Sequence, residues 1–468
     1  MSSENIFLDK GIAEIHEEYA HGTTDPVEVA QDCINRVEKL EGDYHAWVSF
    51  DKEVLLRQAE ELKGRIQKGQ AIRPLEGIPV GVKDIMNTQE FPTQMGSPLW
   101  TGFTPGNDAR VVFYVRNAGA MVPGKTETAE FAVHTLGNTI NPFDPTRTPG
   151  TSSSGSAVAI AVGMVPVALG TQTAGSIVRP ASFCGIYGCK PSFGLIPRTG
   201  MLKTTDSLDT VGYFTSRFED LERVFEVVRV HGPNYPMSYR ALRDATRQEK
   251  PTGRPWRVAL VRTHTWEYAY DYAKEALLDW ANKLGEDSKI EVTEVDLPAA
   301  MTMSHDIHAT IYNKTLSYYF KEEFKKSELV SPIMNDLIRQ GNEITVEQYH
   351  RALEDQITLA YIMEDFFREY DILISLSTAG EAPPREEIER PDPALMWTMT
   401  HLPVISAPVF ISPTGMPFGA QLVARRYSDP LLFKFSGYLR SLGLIPAGAR
   451  SLDHKIDFKI DTLNFNPA

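Results

Sequence analysis

The stretch that decides the fold runs from residue 149 to residue 182 and reads PGTSSSGSAVAIAVGMVPVALGTQTAGSIVRPAS. Two hydroxyl-rich turns, residues 151–156 and 170–176, flank an apolar segment of small residues. Glycine- and serine-rich runs usually form flexible linkers, but the first turn leads directly into the apolar run 157–162. The pattern therefore predicts a buried small-residue helix and then a short strand near 165–169, with a tight polar turn at each end.

The composition limits the classes of partner. The 468 residues include 47 Lys and Arg against 61 Asp and Glu, a formal net charge of −14, which disfavours binding to a phosphate backbone. Three cysteines, Cys33, Cys184 and Cys189, are too few for a disulfide framework and lack zinc-site spacing. The N-terminus has no apolar signal core, and no apolar run reaches the about 20 residues that span a bilayer. We therefore expect a cytoplasmic protein without nucleic-acid or membrane partners.

A single lysine interrupts an apolar, strand-like run at residues 75–85, LEGIPVGVKDI. Lys83 would be buried there, and lysine is rarely buried without a reason. A serine nucleophile needs a neighbouring base, and none of the eleven histidines lies in a recognisable triad motif. Serine–lysine pairs are an alternative, because desolvation can lower a lysine pKa from about 10.4 towards 7 or 8. The sequence therefore predicts Lys83 as the base of a serine hydrolase.

A rival motif lies at residues 119–126, GAMVPGKT, which matches the phosphate-loop pattern GxxxxGKT. A phosphate loop needs a strand before its first glycine, but residues 108–118 resemble an amphipathic helix. Pro123 also lacks an N–H where the phosphate cradle needs donors. The context therefore disfavours nucleotide binding at residues 119–126.

A possible metal site is also disfavoured. The pair His305 and His308 is more typical of a helix surface than of a metal site.

Several segments together resemble the amidase signature family, the hydrolases that use a Ser-Ser-Lys triad. The similar segments are GVKD at 81–84, GKTETAEFA at 124–132, PGTSSSGS at 149–156, GTQTAGS at 170–176 and GMPFGAQ at 415–421. The resemblance covers about residues 10–230 and 370–440 and implies an α/β fold, the amidase signature fold, with a large mixed β-sheet covered by helices on both faces. It also implies a single domain over residues 1–468, in which a variable helical region, 266–370, lines the substrate pocket. Candidate lining residues there are Tyr312, Asn313, Tyr318 and Tyr319.

The resemblance implies a role for each residue of the two turns. Ser176 becomes the acyl-forming nucleophile, Ser152 the bridging serine, held in a cis peptide, and Lys83 the base. Ser153 is expected to be a supporting residue of the site that helps to bind the substrate. Lys83 Nζ, Ser152 Oγ and Ser176 Oγ should then lie in successive hydrogen-bond reach, at about 2.6–3.2 Å or slightly looser without ligand. The oxyanion hole is expected to use the backbone N–H groups of Thr173, Ala174, Gly175 and Ser176.

Three positions depart from the family pattern. Ala174 replaces a glycine, so we predict a negative φ at that residue. Gln172 stands where most members have aspartate. Arg179 lies one place later than the usual arginine, and a similarly displaced arginine in malonamidase-like members holds a substrate carboxylate. We therefore predict that Arg179 binds a substrate carboxylate through its bidentate fork, with a structural ion pair as the equal alternative.

The expected function is that of an amidase, which hydrolyses a small carboxylic amide to a carboxylate and ammonia or an amine through an acyl-serine intermediate. No metal or cofactor is expected, and the expected partner is a small-molecule amide, with a homodimer as the assembly considered. The alternative is the glutaminase (A) subunit of a tRNA-dependent amidotransferase. The acidic composition and the departures at Gln172 and Arg179 fit that alternative poorly.

Overall fold

The computed structural model describes residues 5–250, 252–450 and 452. In this part of the chain the strands are β1 Trp47–Phe50, β2 Val80–Lys83, β3 Gly124–Thr126, β4 Val167–Gln172, β5 Tyr187–Lys190, β6 Thr210–Thr215, β7 Trp256–Arg262, β8 Ile290–Asp296, β9 Ile372–Leu376, β10 Val404–Ile411 and β11 Pro417–Ala424. They form one eleven-stranded sheet in the order β1-β3-β2-β4-β6-β5-β10-β11-β9-β7-β8. Strand β2 is parallel to β3 and β4, and β7 is parallel to β8 and β9, whereas the other neighbours are antiparallel. The sheet is therefore mixed, as predicted.

Helices cover this sheet. Their bounds are α1 Ile6–Asp9, α2 Ile12–His21, α3 Pro26–Tyr44, α4 Lys52–Gln67, α5 Arg110–Asn117, α6 Ser154–Ala161, α7 Val178–Phe183, α8 Asp220–Val228, α9 Pro236–Ala241, α10 Ala245–Gln248, α11 Asp271–Gly285, α12 Ser304–Tyr319, α13 Pro332–Glu343, α14 Val346–Phe366, α15 Leu395–Met399 and α16 Asp429–Ser441. Alternate residues of a strand point to opposite faces of a sheet. In β7, Val258 and Leu260 join one hydrophobic cluster while Ala259 and Val261 join another. Both faces therefore bury a core, and the predicted amidase signature architecture is confirmed.

The two polar turns are positioned by a buried helix and a buried strand. Every residue of α6 and of β4 is buried, because their small and apolar side chains leave no polar face for solvent. Strand β4 lies between β2 and β6 in the interior of the sheet. The predicted helix and strand are therefore present, and β4 carries its C-terminal turn to the same sheet edge as the end of β2.

The region 266–370 differs from the expectation of helices alone. It contains strand β8, which pairs in parallel with β7 at the edge of the sheet. The sequence of β8, IEVTEVD, mixes three apolar residues with four polar ones, and most of the strand is at least partly exposed. Such a polar edge strand lacks the apolar run that identifies the interior strands. In the described part of the chain, no helix has both the length and the apolar character required to cross a membrane.

The phosphate-loop motif forms part of the sheet. Its Lys125 lies in β3, has no exposed surface, and donates from Nζ to Asp84 Oδ1 at 3.0 Å and to Thr93 Oγ1 at 2.9 Å. Helix α5 precedes the motif, where a phosphate loop would have a strand. The lysine is thus occupied by a buried ion pair, and the motif does not form a phosphate cradle.

Candidate active site

Lys83, at the end of β2, lies among three hydroxyl groups. Its Nζ forms hydrogen bonds with Ser152 Oγ at 2.7 Å, with Ser153 Oγ at 3.0 Å and with Thr171 Oγ1 at 2.9 Å. The side chain has no exposed surface. Burial lowers the pKa of Lys83 well below its ordinary value, against the opposing effect of the negative charge of Asp209. A neutral amine beside a serine hydroxyl can act as a base.

Ser153 connects the two turns. Its hydroxyl donates to the Thr171 carbonyl at 3.2 Å and accepts from the Thr171 N–H at 3.3 Å. The peptide bond between Thr151 and Ser152 is cis, as the family resemblance implies. Ser152 and Ser153 therefore both face Lys83 at the start of α6.

The second turn, residues 173–176, follows β4 and is called here the Ser176 turn. Within the described chain, the N–H groups of its four residues, Thr173, Ala174, Gly175 and Ser176, donate to no other group. Neither Ala174 nor Gly175 has a positive φ, so the predicted negative φ at Ala174 is confirmed. Four adjacent free donors are what an oxyanion hole requires.

One predicted contact between the two turns is missing. Lys83 and Ser152 are hydrogen-bonded, but in the part of the chain that the structure describes no hydrogen bond joins the hydroxyls of Ser152 and Ser176. The prediction of two successive hydrogen bonds is therefore wrong for the second of them. Catalytic hydrogen bonds are often longer before substrate binds, and the Ser176 side chain is almost fully buried at the same site.

The carbonyl groups of the Ser176 turn are held by side chains from distant segments. His308 Nε2, on α12, hydrogen-bonds to the Thr173 carbonyl at 2.9 Å, and Thr398 Oγ1, on α15, donates to the Ala174 carbonyl at 2.7 Å. Burial lowers the pKa of His308 to about 4, so its ring is neutral at pH 7. The expectation that His308 lies on a helix surface is wrong, because its side chain is buried. The sequence did not indicate Thr398 at all, because its partner is a backbone atom that no side-chain motif reveals.

Arg179 is held in a buried ion pair. Its guanidinium pairs with Glu389 and lies 3.0 Å from Asp392 Oδ2, and the residue is only 6% exposed. Burial alone would lower the pKa of Arg179, but the two carboxylates raise it above its ordinary value. A Cβ atom added at Gly175 would lie 1.7 Å from Asp392 Oδ2, so glycine is required there for close approach rather than for its φ. Carboxylates of the chain itself thus occupy the place predicted for a substrate carboxylate.

The aromatic candidates of region 266–370 are spread apart. Tyr312 is buried and packs against the ring of His308, with centroids 5.4 Å apart. Asn313 donates to Gln340, and Tyr318 is 67% exposed. Tyr319 donates to Asp206 at 2.6 Å. Helix α12 therefore brings Tyr312 and His308 towards the Ser176 turn, and the pocket-lining role of the wider region stays a prediction.

A buried lysine of lowered pKa, a serine on its amine and a second serine within a cluster of free N–H groups define a class of enzyme that hydrolyses amide C–N bonds through a serine. The family model named Amidase matches residues 28–433. The chain therefore belongs to the Amidase family.

The similar proteins include curated amidotransferase subunits and solved structures with other names. The A subunit of the glutamyl-tRNA(Gln) amidotransferase of Cyanothece sp. (strain PCC 7425 / ATCC 29141) is 29% identical over 90% of this chain and 96% of its own length. A solved structure described as a vestigial protein complex that reveals the evolutionary origins of an s-triazine catabolic enzyme has a TM-score of 0.84 and 26% identity. The match covers 94% of this chain and 100% of that chain. A crystal structure of an amidase has a TM-score of 0.80 and 26% identity, covering 92% of this chain and 100% of its own.

These relatives correct the expected partners. The curated relatives are each named as one subunit of an enzyme acting on glutamyl-tRNA(Gln). The prediction of a small-molecule amide alone as the partner, with no nucleic acid, no membrane and a homodimer as the assembly considered, is therefore wrong. The prediction rested on the acidic net charge, which describes a whole chain and not a local surface.

Proposed function

We propose that this chain is an ammonia-releasing amidase that serves as the glutamine-hydrolysing component, the A subunit, of a tRNA-dependent amidotransferase. The observation that carries the chemistry is the buried 2.7 Å hydrogen bond between Lys83 Nζ and Ser152 Oγ. The role within an amidotransferase is supported by relatives that match nearly the whole chain, at 29% identity, and are named as the A subunit of such an enzyme.

The hydrogen bonds around Lys83 can all be satisfied by the neutral amine that its lowered pKa favours. A neutral amine has two N–H donors and one lone pair, so it can satisfy three neighbours. Ser153 gives its own proton to the Thr171 carbonyl and must accept from Lys83. An amine N–H therefore points at Ser153, which leaves the lone pair for a hydroxyl proton, and Ser152 is the neighbour that the family resemblance assigns to the bridge between Lys83 and Ser176.

The proposed reaction follows from this arrangement. Ser176 Oγ attacks the amide carbon while its proton passes through Ser152 to Lys83, and the free N–H groups of the turn bind the resulting oxyanion. Collapse of the tetrahedral intermediate breaks the C–N bond, and the proton returns through Ser152 to the departing ammonia. Water then attacks the acyl ester by the same route, which releases the carboxylate and regenerates Ser176.

A second candidate function is hydrolysis of a small amide that carries a carboxylate. It is supported by the 26% identity to a solved amidase and by the position of Arg179, three residues after Ser176. In this function Arg179 would exchange Glu389 for the carboxylate of the substrate. The two candidates share the Ser176 chemistry and differ in the group attached to the amide.

Labelling tests the shared chemistry. The purified chain is incubated with a fluorophosphonate, digested and analysed by mass spectrometry. We expect the label on the peptide containing Ser176 and its loss in the Lys83→Ala variant. Label on another serine, or equal labelling of both proteins, contradicts the proposed nucleophile and base.

Ammonia release separates the two candidates. L-glutamine, malonamate and butyramide are compared by kcat/KM with the same preparation. A value for L-glutamine at least about 10-fold above those for the other two, equal to about 1.4 kcal/mol of discrimination, supports the glutaminase. A preference of that size for malonamate supports the small-amide hydrolase and contradicts the role within an amidotransferase.

A further inference from the structure

We infer that Thr398 and His308 are positioning residues that orient the Ser176 turn, and that Gln172 fixes the direction in which the Thr398 hydroxyl donates. The inference rests on the proposed function, since it takes Ser176 as the nucleophile. None of these three side chains has a place in the proposed proton path from Ser176 through Ser152 to Lys83. Their effect on the reaction passes through the backbone of the turn.

The geometry follows from the planarity of the peptide bond. In a trans peptide unit the C=O and the following N–H point in opposite directions. Thr398 holds the carbonyl of Ala174 at 2.7 Å, and this fixes the direction of the Gly175 N–H. His308 holds the carbonyl of Thr173 at 2.9 Å and in the same way fixes the N–H of Ala174. Two of the four free donors are thus aimed by side chains more than a hundred residues away.

The contact with Gln172 explains why the Thr398 hydroxyl donates its proton to the Ala174 carbonyl. The amide oxygen of Gln172 accepts from the N–H groups of Ile177 and Val178 at 2.8 and 2.9 Å, so its amide nitrogen is the group 3.0 Å from Thr398 Oγ1. Because that nitrogen only donates, the Thr398 hydroxyl accepts from it and must give its own proton to Ala174. An aspartate at 172 could only accept, and would compete with Ala174 for the same proton.

The Ser176 turn is also held from its other side. Thr173 Oγ1 donates to Asp209 Oδ1 at 2.8 Å, and Asp209 in turn accepts from the Thr204 N–H at 2.8 Å. Thr398, Gln172, Asp209 and His308 are all at least nine-tenths buried. A buried network of this kind with every partner satisfied rigidifies the backbone that it holds. Preorganised donors of an oxyanion hole need this rigidity.

The matched pair Thr398→Val and Thr398→Ser tests the inference. Valine has the shape of threonine without the hydroxyl, whereas serine keeps the hydroxyl. The control is Thr400→Val: Thr400 is fully buried next to α15, but its hydroxyl donates to Met396 within that segment. The probe is a fluorophosphonate, whose phosphonyl oxygen takes the place of the oxyanion, so the test does not depend on which amide is the substrate.

For Thr398→Val we expect the maximal phosphonylation rate, kinact, to fall about 10-fold or more, below the about 10²–10³-fold effect of deleting a donor outright. The dissociation constant KI should stay unchanged, Thr398→Ser should recover most of kinact, and Thr400→Val should match the wild type. His308→Gln, which keeps a donor, and His308→Leu, which does not, should repeat the contrast if the valine variant fails to fold.

The results separate the inference from the proposed function. Wild-type kinact in Thr398→Val and in His308→Leu, with Ser176 labelled normally, overturns the inference and leaves the proposed function intact. A rise in KI with unchanged kinact also overturns it, because that result assigns binding rather than positioning. Absence of label on Ser176 in the wild type overturns both.

Discussion

Two buried cations of this chain deal with burial in opposite ways. Lys83 lies among three neutral hydroxyls, and in the described chain no carboxylate pairs with it. Arg179 is just as deeply buried but pairs with Glu389 and Asp392. Lysine can escape the cost of burial by losing a proton, whereas arginine cannot. Burial therefore favours the neutral form of Lys83, whereas the two carboxylates keep Arg179 charged.

The largest expected effect comes from removing the cation that gives up its proton. Lys83→Met should lower kcat for L-glutamine by at least about 10³-fold, because a positioned base contributes about 10²–10⁴-fold. The matched control is Lys190→Met, since Lys190 is also fully buried and also has a pKa lowered by burial, to about 7. Its Nζ donates to the Leu402 carbonyl. A similar loss of kcat in Lys190→Met would show that substituting any buried lysine lowers kcat, and would contradict a specific role of Lys83 as the base.

A smaller effect is expected from removing the cation that keeps its charge. Arg179→Ala should raise KM for L-glutamine about 10-fold, the size of one charged hydrogen bond, and leave KM for butyramide unchanged. Steady-state ammonia release measures both constants. An unchanged KM for L-glutamine would make Arg179 a structural ion pair.

Substitution of Glu389, which pairs with Arg179, tests the same ion pair from the other side. Glu389→Gln frees one side of the guanidinium, so KM for L-glutamine should fall several-fold if substrate and Glu389 compete for Arg179. Glu387→Gln, two residues earlier on the same loop and exposed, is the control. A rise in KM on losing Glu389 contradicts competition and assigns Glu389 to substrate binding.

The smallest effect is on stability. The pKa of Lys83 is lowered in the native chain from 10.5, so between the two values the unfolded chain binds one more proton. Stability therefore rises with pH in that window, by about 1.4 kcal/mol per pH unit from this group. The free energy of unfolding of the wild type minus that of Lys83→Met should increase between pH 7 and pH 8.5 in urea titrations. A difference that is constant over this range contradicts a neutral Lys83.

Contiguous motifs made much of the site predictable. Lys83, Ser152, Ser153 and the Ser176 turn each lie in a short pattern whose residue types report their chemistry, and the helix and strand between the turns follow from small apolar residues. Strand β8 was not predictable, because its three apolar residues neither alternate strictly with polar ones nor form a continuous apolar run.

The residues that hold the Ser176 turn could not be predicted from the sequence, for a different reason. Thr398 and His308 contact backbone carbonyls, and any residue type presents the same carbonyl. Glu389 and Asp392 belong to a charged loop whose composition is typical of solvent exposure, yet both face Arg179. A sequence motif identifies reactive side chains, but it does not indicate which backbone atoms a side chain will contact.

The hydrogen bond between Thr398 and Ala174 also bears on how the chain is made. It joins residues 224 positions apart, and a ribosome adds about 5–20 residues per second. The serine of the second turn therefore leaves the ribosome roughly 10–45 s before the threonine that holds its neighbour. During that interval the nascent chain carries a nucleophile without its finished oxyanion hole. A chain truncated before residue 398 therefore carries the Ser-Ser-Lys residues without this support.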